Sequence, residues 1–112
     1  MDLNRLMIIG NLGNTPTLNH TTVAGRPVTN FSVATNERWA DSNGEQREHT
    51  EWHQITAFGK LAETCAQYLK KGRRVYLEGR VRTEEWTKDG QLRRTKVMIA
   101  DKMIRIYFIH KD

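Results

Sequence analysis

Aromatic and polar side chains alternate along residues 50–60, which read Thr-Glu-Trp-His-Gln-Ile-Thr-Ala-Phe-Gly-Lys. Successive side chains of a β-strand point to opposite faces, so this stretch predicts a strand with two unlike faces. One face is small and mostly apolar, as a protein core requires: His53, Ile55 and Ala57. The other face is polar but carries two large rings: Trp52, Gln54, Thr56 and Phe58. Such rings can stack flat ligands, or they can pack against a second buried surface or another subunit.

A second stretch, Arg74–Trp86, combines aromatic rings with positive charge. Strand alternation directs one set of residues toward a core: Val75, Leu77, Gly79 and Val81. It directs the other set outward: Tyr76, Glu78, Arg80, Arg82, Glu84 and Trp86. The next strand, Leu92–Ala100, has Arg94 and Lys96 on one face and Val97 and Ile99 on the other. Cations interleaved with rings suit single-stranded nucleic acid, because bases stack on rings and cations contact phosphates.

Positive charge is concentrated in the second half of the chain, whose formal net charge is +5 overall. Residues 1–59 carry four basic and six acidic side chains, whereas residues 60–96 carry eleven basic and five acidic ones. A basic segment of this kind favours a polyanionic partner, although a solvated surface with a slight excess of Lys and Arg has the same composition.

The length of 112 residues, with 38% hydrophobic and 28% charged residues, predicts one globular domain over residues 1–112. The apolar run Leu6–Ile9 is far too short for a signal peptide or a membrane span. A cytoplasmic protein without a membrane partner is therefore expected. The single cysteine, Cys65, excludes an internal disulfide and a zinc site built from cysteines.

Periodicity and turn residues predict three strands, one helix, two strands and a short final strand. The highly charged connection Glu37–His49 contains Asn43-Gly44 as a turn signal, and its length of roughly a dozen residues favours an extended hairpin arm over a tight turn. A single helix between strands three and four indicates an all-β, five-stranded Greek-key barrel of the OB type. The predicted strands are Leu3–Leu12, Pro27–Asn36, Thr50–Gly59, Arg74–Trp86, Leu92–Ala100 and Met103–Ile109, and the predicted helix is Lys60–Lys71.

Two of these elements also bear on packing. The run Leu6–Ile9 is apolar on both strand faces, so we expect one face in the core and the other against a second subunit. In the helix, Leu61, Cys65 and Leu69 recur at a spacing of four and form a narrow apolar stripe. Cys65 is therefore expected to be a small buried hydrophobe rather than a catalytic thiol.

Catalysis is a weaker interpretation of this sequence. Its carboxylates are scattered over predicted loops and outward strand positions, which predicts neither a metal cluster nor a nucleophile with its base. His49 and His53 have the same strand parity but lie ~13 Å apart, too far to share a metal ion. The sequence therefore predicts no enzyme, no metal and no cofactor.

Several segments resemble the bacterial-type single-stranded DNA-binding protein family, in the family's order and spacing from about Asn4 to about Arg105. Glu-Trp-His at residues 51–53 followed by Phe-Gly-Lys-Leu-Ala at residues 58–62 is specific, whereas Gly-Asn-Leu-Gly at residues 10–13 alone is weak. The matching segments are Leu6–Gly13, Asn30–Asn36, Thr50–His53, Ala57–Glu63, Tyr68–Gly72 and Glu78–Thr83.

The resemblance implies an OB fold, a homotetramer or else a dimer, and binding of single-stranded DNA in replication, recombination and repair, without catalysis, in the bacterial cytoplasm and nucleoid. The family's base-stacking rings fall on Trp39, Trp52, Phe58 and Trp86, and its backbone-contacting cations fall on Lys60, Lys71 and Arg82. Positions that relatives use in or near their subunit contacts match Leu6, Ile8 and His53. The full predicted DNA-binding set is Trp39, Trp52, His53, Gln54, Thr56, Phe58, Lys60, Lys71, Arg73, Arg80, Arg82, Trp86, Arg94 and Lys96.

This sequence departs from the resemblance at positions where many relatives carry basic residues, namely Ala40, Gln54, Glu84 and Glu85. The two glutamates should repel phosphate locally, so weaker or more salt-sensitive DNA binding is expected. Compensation could come from Arg73, Arg74, Arg93 and Arg94. Relatives usually end in a flexible linker and an acidic tip that recruits replication and repair proteins. The sequence contains neither, so recruitment through such a tail is not expected.

Two other interpretations stay open at this point. An OB protein that mainly binds other proteins, such as a primosome-type accessory factor, would also accommodate the Glu84-Glu85 pair and the missing tail. RNA is the other open partner, because stacking surfaces do not discriminate strongly between sugars and no dedicated 2′-hydroxyl reader is evident.

Overall fold

The computed structural model describes residues 1–22 and 24–106. One six-stranded sheet has the strand order β1-β5-β6-β4-β3-β2, and an additional pairing between β1 and β3 closes five of these strands into a barrel. The predicted OB fold is thereby confirmed, with the helix between the third and fourth long strands and β2 as a short addition beside β3. In chain order the elements are β1 (Leu6–Leu12), β2 (Asn19–His20), β3 (Pro27–Ala40), β4 (Gln46–Phe58), α1 (Gly59–Tyr68), β5 (Arg74–Lys88) and β6 (Gln91–Ile106).

The barrel interior is filled by the alternate residues that the sequence pattern directs inward. In β4, Ile55 and Ala57 are buried while Trp52 is 55% exposed, as the alternation predicts. In β5, Val75 and Leu77 are fully buried. Each buried aliphatic side chain of this size contributes about 1.5–3 kcal/mol of hydrophobic free energy, so the core fixes which face of each strand is left for solvent. Other core members are Ile8, Leu12, Phe31, Val33, Met98 and Ala100.

The charged connection predicted over Glu37–His49 is mostly strand. β3 continues to Ala40 and β4 starts at Gln46, and the two pair in antiparallel register from Val28↔Phe58 out to Ala40↔Gln46. The turn between them is held by the Asp41 carboxylate, whose Oδ1 accepts the backbone N–H groups of Asn43 and Glu45. These hydrogen bonds lower the pKa of Asp41 below its usual value, and the bond from the Glu45 N–H has the largest effect. The stretch is an extended hairpin arm.

The separate final strand predicted from Met103 is wrong within residues 103–106, because β6 runs without a break to Ile106. The Asp101-Lys102 pair marks an irregularity instead: Gly79 pairs with Ala100 and Glu78 with Lys102, which leaves Asp101 unpaired. A bulge of this kind restores the inward direction of Met103. A β-carbon on Gly79 would overlap the Ile99 carbonyl oxygen. Residues 107–109 of the predicted strand lie outside the described residues.

The helix is shorter than predicted, because it ends at Tyr68 and Leu69 has an extended backbone. Leaving the helix lets Leu69 bury its side chain in the core while its N–H still bonds the carbonyl of Cys65. Lys70 and Lys71, which the prediction included in the helix, therefore lie in the segment that follows it. The apolar stripe is confirmed, since Cys65 is completely buried.

Candidate nucleic-acid interface

Two long hairpins, β3–β4 and β5–β6, meet only briefly on the front of the barrel. β4 and β6 pair in parallel at Ile55↔Met98 and Thr56↔Ile99, and no other register partners join them in the described part of the chain. Beyond this contact the hairpins diverge and leave a cleft between them. We call this cleft the aromatic groove, and it consists of three neighbouring hollows described below.

The first hollow has a volume of about 320 Å³ and lies between the rings of Phe58 and Trp86. Phe58 comes from the end of β4 and Trp86 from the outward face of β5, so the two rings reach the groove from different hairpins. Trp86 is 46% exposed. Arg82 and Glu84 also line the hollow. The remaining lining residues are Val28, Asn30, Thr56, Thr95 and Val97.

The second hollow, also of about 320 Å³, adjoins the first because Phe58 and Arg82 line both. It adds two further arginines, Arg26 and Arg80. The guanidinium carbon of Arg26 lies 4.8 Å from the centroid of the Phe58 ring, and that of Arg82 lies 5.9 Å from it. Both distances allow cation–π attraction. Phe58 is thus flanked by cations that can also contact phosphate.

The third hollow, of about 220 Å³, contains Trp52 with Gln54 and Lys96. The loop after β1 seats this ring: a β-carbon placed on Gly13 would lie only 2.5 Å from Cζ3 of Trp52. Gly13 is in turn held by a 2.9 Å bond from its N–H to the carbonyl of Ser32. The absence of a side chain at residue 13 therefore fixes where the indole can lie.

Trp39 lies on the other face of the same hairpin. It is in register with Arg47, whereas Trp52 is in register with Ala34, and the two tryptophans have opposite strand parity. Paired residues in an antiparallel ladder project on the same side, so Trp39 shares its face with Arg47. Trp39 is 48% exposed. The structure therefore exposes Trp39 but does not place it in the aromatic groove.

Three predicted basic residues lie outside the groove. Lys60 is in the first turn of α1 and is exposed. Lys71 and Arg73 are exposed in the turn before β5, which is tied to the loop after β1. The Lys71 N–H bonds Oγ1 of Thr15 at 3.0 Å, and the Arg73 carbonyl accepts the Leu12 N–H at 2.8 Å. Lys71 and Arg73 thus lie near the loop that seats Trp52.

The two faces of the β5–β6 hairpin carry different charges. Arg80, Arg82, Glu84 and Trp86 pair in register with Ile99, Val97, Thr95 and Arg93, so this set faces the groove together. Arg94 is in register with Glu85 on the opposite face, and its Nε lies 3.0 Å from Oε1 of that glutamate. Lys96 shares that face and reaches the cleft only beside Trp52. The structure therefore separates Arg94 from Arg80 and Arg82.

The remaining predicted polar residues differ in how available they are. Gln54 is exposed. Thr56 is 7% exposed, and its hydroxyl donates a 2.8 Å bond to Oδ1 of Asn30. His53 is half-buried on the core side of β4, with Nε2 2.9 Å from Oγ1 of Thr35. Thr56 lines the first hollow and His53 the third, and the polar group of each is already engaged in a hydrogen bond within the protein.

Of the three predicted subunit-contact residues, Leu6 and Ile8 take part in this chain's own core packing, whereas His53 is half-buried on β4. Ile8 is 4% exposed in the core, and Leu6 packs against that core. The exposed apolar residues of β1 are instead Met7 and Ile9, at 64% and 48%. The two faces of β1 are both apolar as predicted, but the outward one is the Met7–Ile9 parity.

These residues extend into a patch that we call the outer face, made of Met7, Ile9, Tyr76 and Ile104. Ile9 is in register with Tyr76, and Tyr76 with Ile104, so the patch crosses three strands. Ile104 is 51% exposed. The Glu78 carboxylate beside the patch bonds the Tyr76 hydroxyl and the Arg5 guanidinium. The Tyr76 bond lowers the pKa of Glu78 and raises that of Tyr76.

Groups that could perform catalysis are not assembled in the described part of the chain. Burial raises the pKa of the Cys65 thiol to about 11, so it is protonated at neutral pH and is a poor nucleophile. His49 lies 3.0 Å from Glu51, and this pair lowers the pKa of the glutamate. No group of three or more metal-ligating side chains occurs among the described residues. Nor does any described helix have the length and apolar character needed to cross a bilayer.

Two contributors to the site were missed at the level of sequence. Arg26 follows Gly25 in a turn, and nothing in local periodicity indicates that it stacks on a ring thirty-two positions away. Gly13 belongs to the Gly-Asn-Leu-Gly stretch, which is uninformative by itself, and its contact with Trp52 depends on packing between elements distant in sequence. Only an observed contact between distant segments could have identified either residue.

The closed barrel and the one helix among the described residues place the chain among the OB-fold proteins. A model of the Single-strand binding protein family matches residues 3–106, and the chain belongs to that family. It is 55% identical over 84 residues to a protein of Chlorobaculum tepidum named "Single-stranded DNA-binding protein 1". It is 48% identical over 104 residues to a "Single-stranded DNA-binding protein" of Neisseria meningitidis serogroup A.

The alignments cover 75% and 92% of this chain but 51% and 59% of those two relatives, so the chain spans little more than half their length. Among solved structures, a Plasmodium falciparum SSB complex with single-stranded DNA superposes with a TM-score of 0.86 at 32% identity, covering 96% of this chain and 97% of that one. A mutant single-stranded DNA binding protein from Thermus aquaticus superposes with a TM-score of 0.81 at 27% identity, covering 94% and 51%.

Proposed function

We propose that this protein binds and protects single-stranded DNA without sequence preference. The observation that carries the proposal is the aromatic groove, whose partly exposed rings have cations among their neighbours. Phe58 and Trp86 line hollows that contain Arg26, Arg80 and Arg82, and Trp52 lines a hollow that contains Lys96. Every base offers a flat face, so stacking on a ring is insensitive to sequence and contributes about 1–3 kcal/mol per base. The arginines supply the charge that the phosphates between those bases require.

The family relationship supports the same function, since the relatives are named for single-stranded DNA and the Plasmodium structure contains it. We propose a binding role in replication, recombination and repair, without catalysis, in the bacterial cytoplasm and nucleoid. We also propose that residues 1–112 act as one binding domain. The outward cations Lys60, Lys71 and Arg73 would continue the path of the phosphates beyond the groove, with Trp39 as a further stacking site on the β3–β4 hairpin.

We further propose that the protein assembles as a homotetramer through its outer face. An exposed apolar patch that crosses three strands is typical of a surface covered by another subunit. Tyr76 shares the outward face of β5 with Arg82 and Trp86, but these two groove residues lie six and ten positions further along the strand, about 20 Å or more away. Assembly through the outer face would therefore leave each groove open.

The direct test is titration of the tryptophan fluorescence with oligo-dT at low salt. Stacking of bases on Trp52 and Trp86 should quench the emission, and rising salt should weaken binding because phosphate contacts release counterions. The mass is measured on the same sample by light scattering. Absence of quenching at low salt would remove the proposed function, and a monomeric mass at micromolar concentration would remove the tetramer.

One observation favours a second candidate, an OB-fold interaction protein with weak nucleic-acid binding. Glu84 and Glu85 each hold an arginine of the β5–β6 hairpin, at 2.9 and 3.0 Å, which reduces the charge available to phosphate. Binding of oligo-dT only at millimolar concentration, together with tight binding of a protein partner, would support this candidate. A parallel titration with oligo-rU decides between DNA and RNA.

A further inference from the structure

The hollow between Phe58 and Trp86 contains two ionisable side chains among its lining residues, Arg82 and Glu84. They are paired: Nη2 of Arg82 lies 2.9 Å from Oε1 of Glu84. Both side chains remain accessible, at 46% for Arg82 and 40% for Glu84, so the pair is open to exchange with a ligand. The formal charges of the lining residues cancel in the part of the groove where two rings are available for stacking.

Among the described residues that line this hollow, Arg82 is the only cation. Arg93, the register partner of Trp86, lies on the same face of the hairpin but is not part of the lining. The cross-strand partner of Glu84 is Thr95, and that of Arg82 is Val97. Across the hollow the polar groups are neutral, and the Thr56 hydroxyl is already bonded to Asn30. Arg82 and Glu84 are two positions apart in β5, so the strand places their side chains next to each other on the same face. A phosphate that binds in this hollow must therefore replace Glu84 as the ion-pair partner of Arg82, and the Glu84 carboxylate is then without a cation among the lining residues.

We propose that Glu84 is an internal competitor of the DNA phosphate for Arg82. The inference rests on the proposed function and concerns its regulation: Glu84 weakens binding in this hollow, lowers its salt dependence and speeds release of the strand. The ion pair with Arg82 thereby reverses the greater salt sensitivity that repulsion alone would predict. The electrostatic reason is that phosphate contact with Arg82 exchanges one anion for another. The freed Glu84 then attracts cations from solution, which offsets the counterion release that a phosphate contact normally gives.

Glu85 provides a charge-matched control. It is the next residue in the chain and it also holds an arginine, Arg94, at 3.0 Å. Its register partner places it on the opposite face of the hairpin, outside the lining of the hollow. Glu84→Gln and Glu85→Gln therefore change the net charge of the protein equally, and only the first acts on Arg82.

The experiment measures the affinity of the full chain for oligo-dT by fluorescence quenching over a range of salt concentrations. Glu84→Gln is expected to tighten binding about three- to fivefold at low salt, the upper range for an exposed ion pair. The slope of log K against log salt should steepen by about 0.7, the value for one additional phosphate contact on a single strand. Stopped-flow dissociation should slow in proportion. Glu84→Thr, a good strand former without the carboxylate, should reproduce these changes.

The dependence on Arg82 is tested by a double-mutant cycle with Arg82→Gln. In that background Glu84→Gln should change affinity by less than about twofold, whereas the effect of Glu85→Gln should be the same in both backgrounds. Equal effects of Glu84→Gln and Glu85→Gln in the wild-type background would overturn the inference, as would a gain from Glu84→Gln that survives the loss of Arg82. Failure of the wild-type chain to bind oligo-dT at all would instead overturn the proposed function.

Discussion

The aromatic groove and the outer face both expose apolar side chains, but they differ in what surrounds those side chains. In the groove, Phe58 has two guanidinium groups within 5.9 Å of its centroid. On the outer face, Ile9 and Ile104 flank Tyr76, whose hydroxyl is bonded to Glu78. Rings separated by cations match a flexible polyanion with flat bases, whereas a continuous aliphatic patch matches another apolar protein surface.

The difference shows that exposed hydrophobicity alone does not identify a partner. Trp52, at 55%, and Met7, at 64%, are similarly exposed, yet Trp52 lines a cleft with Lys96 and Met7 belongs to an outward strand face. Charge and curvature around the exposed group distinguish the two uses. Changes confined to one region should therefore leave the function of the other intact, and the following predictions test that independence.

The largest effect is expected for Ile9→Lys on the outer face. Burying an unpaired ammonium group in a subunit contact costs on the order of several kcal/mol, so the assembly should dissociate. Light scattering should report a reduced mass, while quenching by short oligo-dT persists at each groove. Gln67→Lys, on the exposed side of α1, is the charge-matched control and should keep the wild-type mass. An unchanged mass for Ile9→Lys would show that the outer face is not a subunit contact.

A loss of about 1–3 kcal/mol of binding free energy is expected for Trp52→Ala, because one stacking ring is removed. The matched control is Tyr68→Ala on α1. Tyr68 is 44% exposed and has the Arg105 guanidinium 4.8 Å from its centroid, so it is also a ring with a cation, but it lies outside the three hollows. Affinity for oligo-dT is measured for both variants, and the assembled mass should not change. Equal losses in the two variants would contradict the special role of the groove.

Gly13→Ala should disturb the groove without removing any group that contacts a ligand. The added methyl would meet the Trp52 indole and the Ser32 hydroxyl, so the ring must leave its rotamer at a cost of about 0.5–1.5 kcal/mol. Weaker quenching and a shifted emission maximum of the free protein are expected. In a Trp52→Phe background the smaller ring should relieve the contact, and Gly13→Ala should then have less effect. The same loss in both backgrounds would show that the ring is not what Gly13 accommodates.

The smallest effect is expected for Arg26→Ala, which removes one cation from Phe58. An exposed cation–π contact contributes about 0.5–1 kcal/mol, so the loss of affinity should be modest. If Arg26 also contacts phosphate, the salt slope should become shallower by about 0.7. Replacing Arg105, the cation that lies over Tyr68, is the control and should leave both quantities unchanged. If the salt dependence of Arg26→Ala equals that of the wild type, Arg26 contacts the Phe58 ring but not a phosphate.

Most of the fold could be predicted from the sequence, because strand alternation and helical spacing are local. The inward parity of Ile55 and Leu77 and the buried stripe at Cys65 follow from residue order alone. The end of the helix could not be predicted in this way, since Leu69 leaves the helical path to fill the barrel. Nor could the bulge at Asp101, which exists because β6 must stay paired with β5 while it curves.

The candidate site also has features that the sequence determines and features that only the tertiary structure determines. Residue types and alternation determined that Trp52, Phe58, Arg82 and Trp86 point away from the core. Only the tertiary structure decided which of these side chains meet, because cross-strand register brings together residues far apart in the chain. Register placed Arg94 with Glu85 and Trp39 with Arg47, away from the groove. The pairing of Val28 with Phe58 brought the turn before β3, which carries Arg26, next to the Phe58 ring. The direction of a side chain depends on the alternation of residues next to it in the sequence. Which side chains contact each other depends on the pairing between strands, and no single segment of the sequence specifies that pairing.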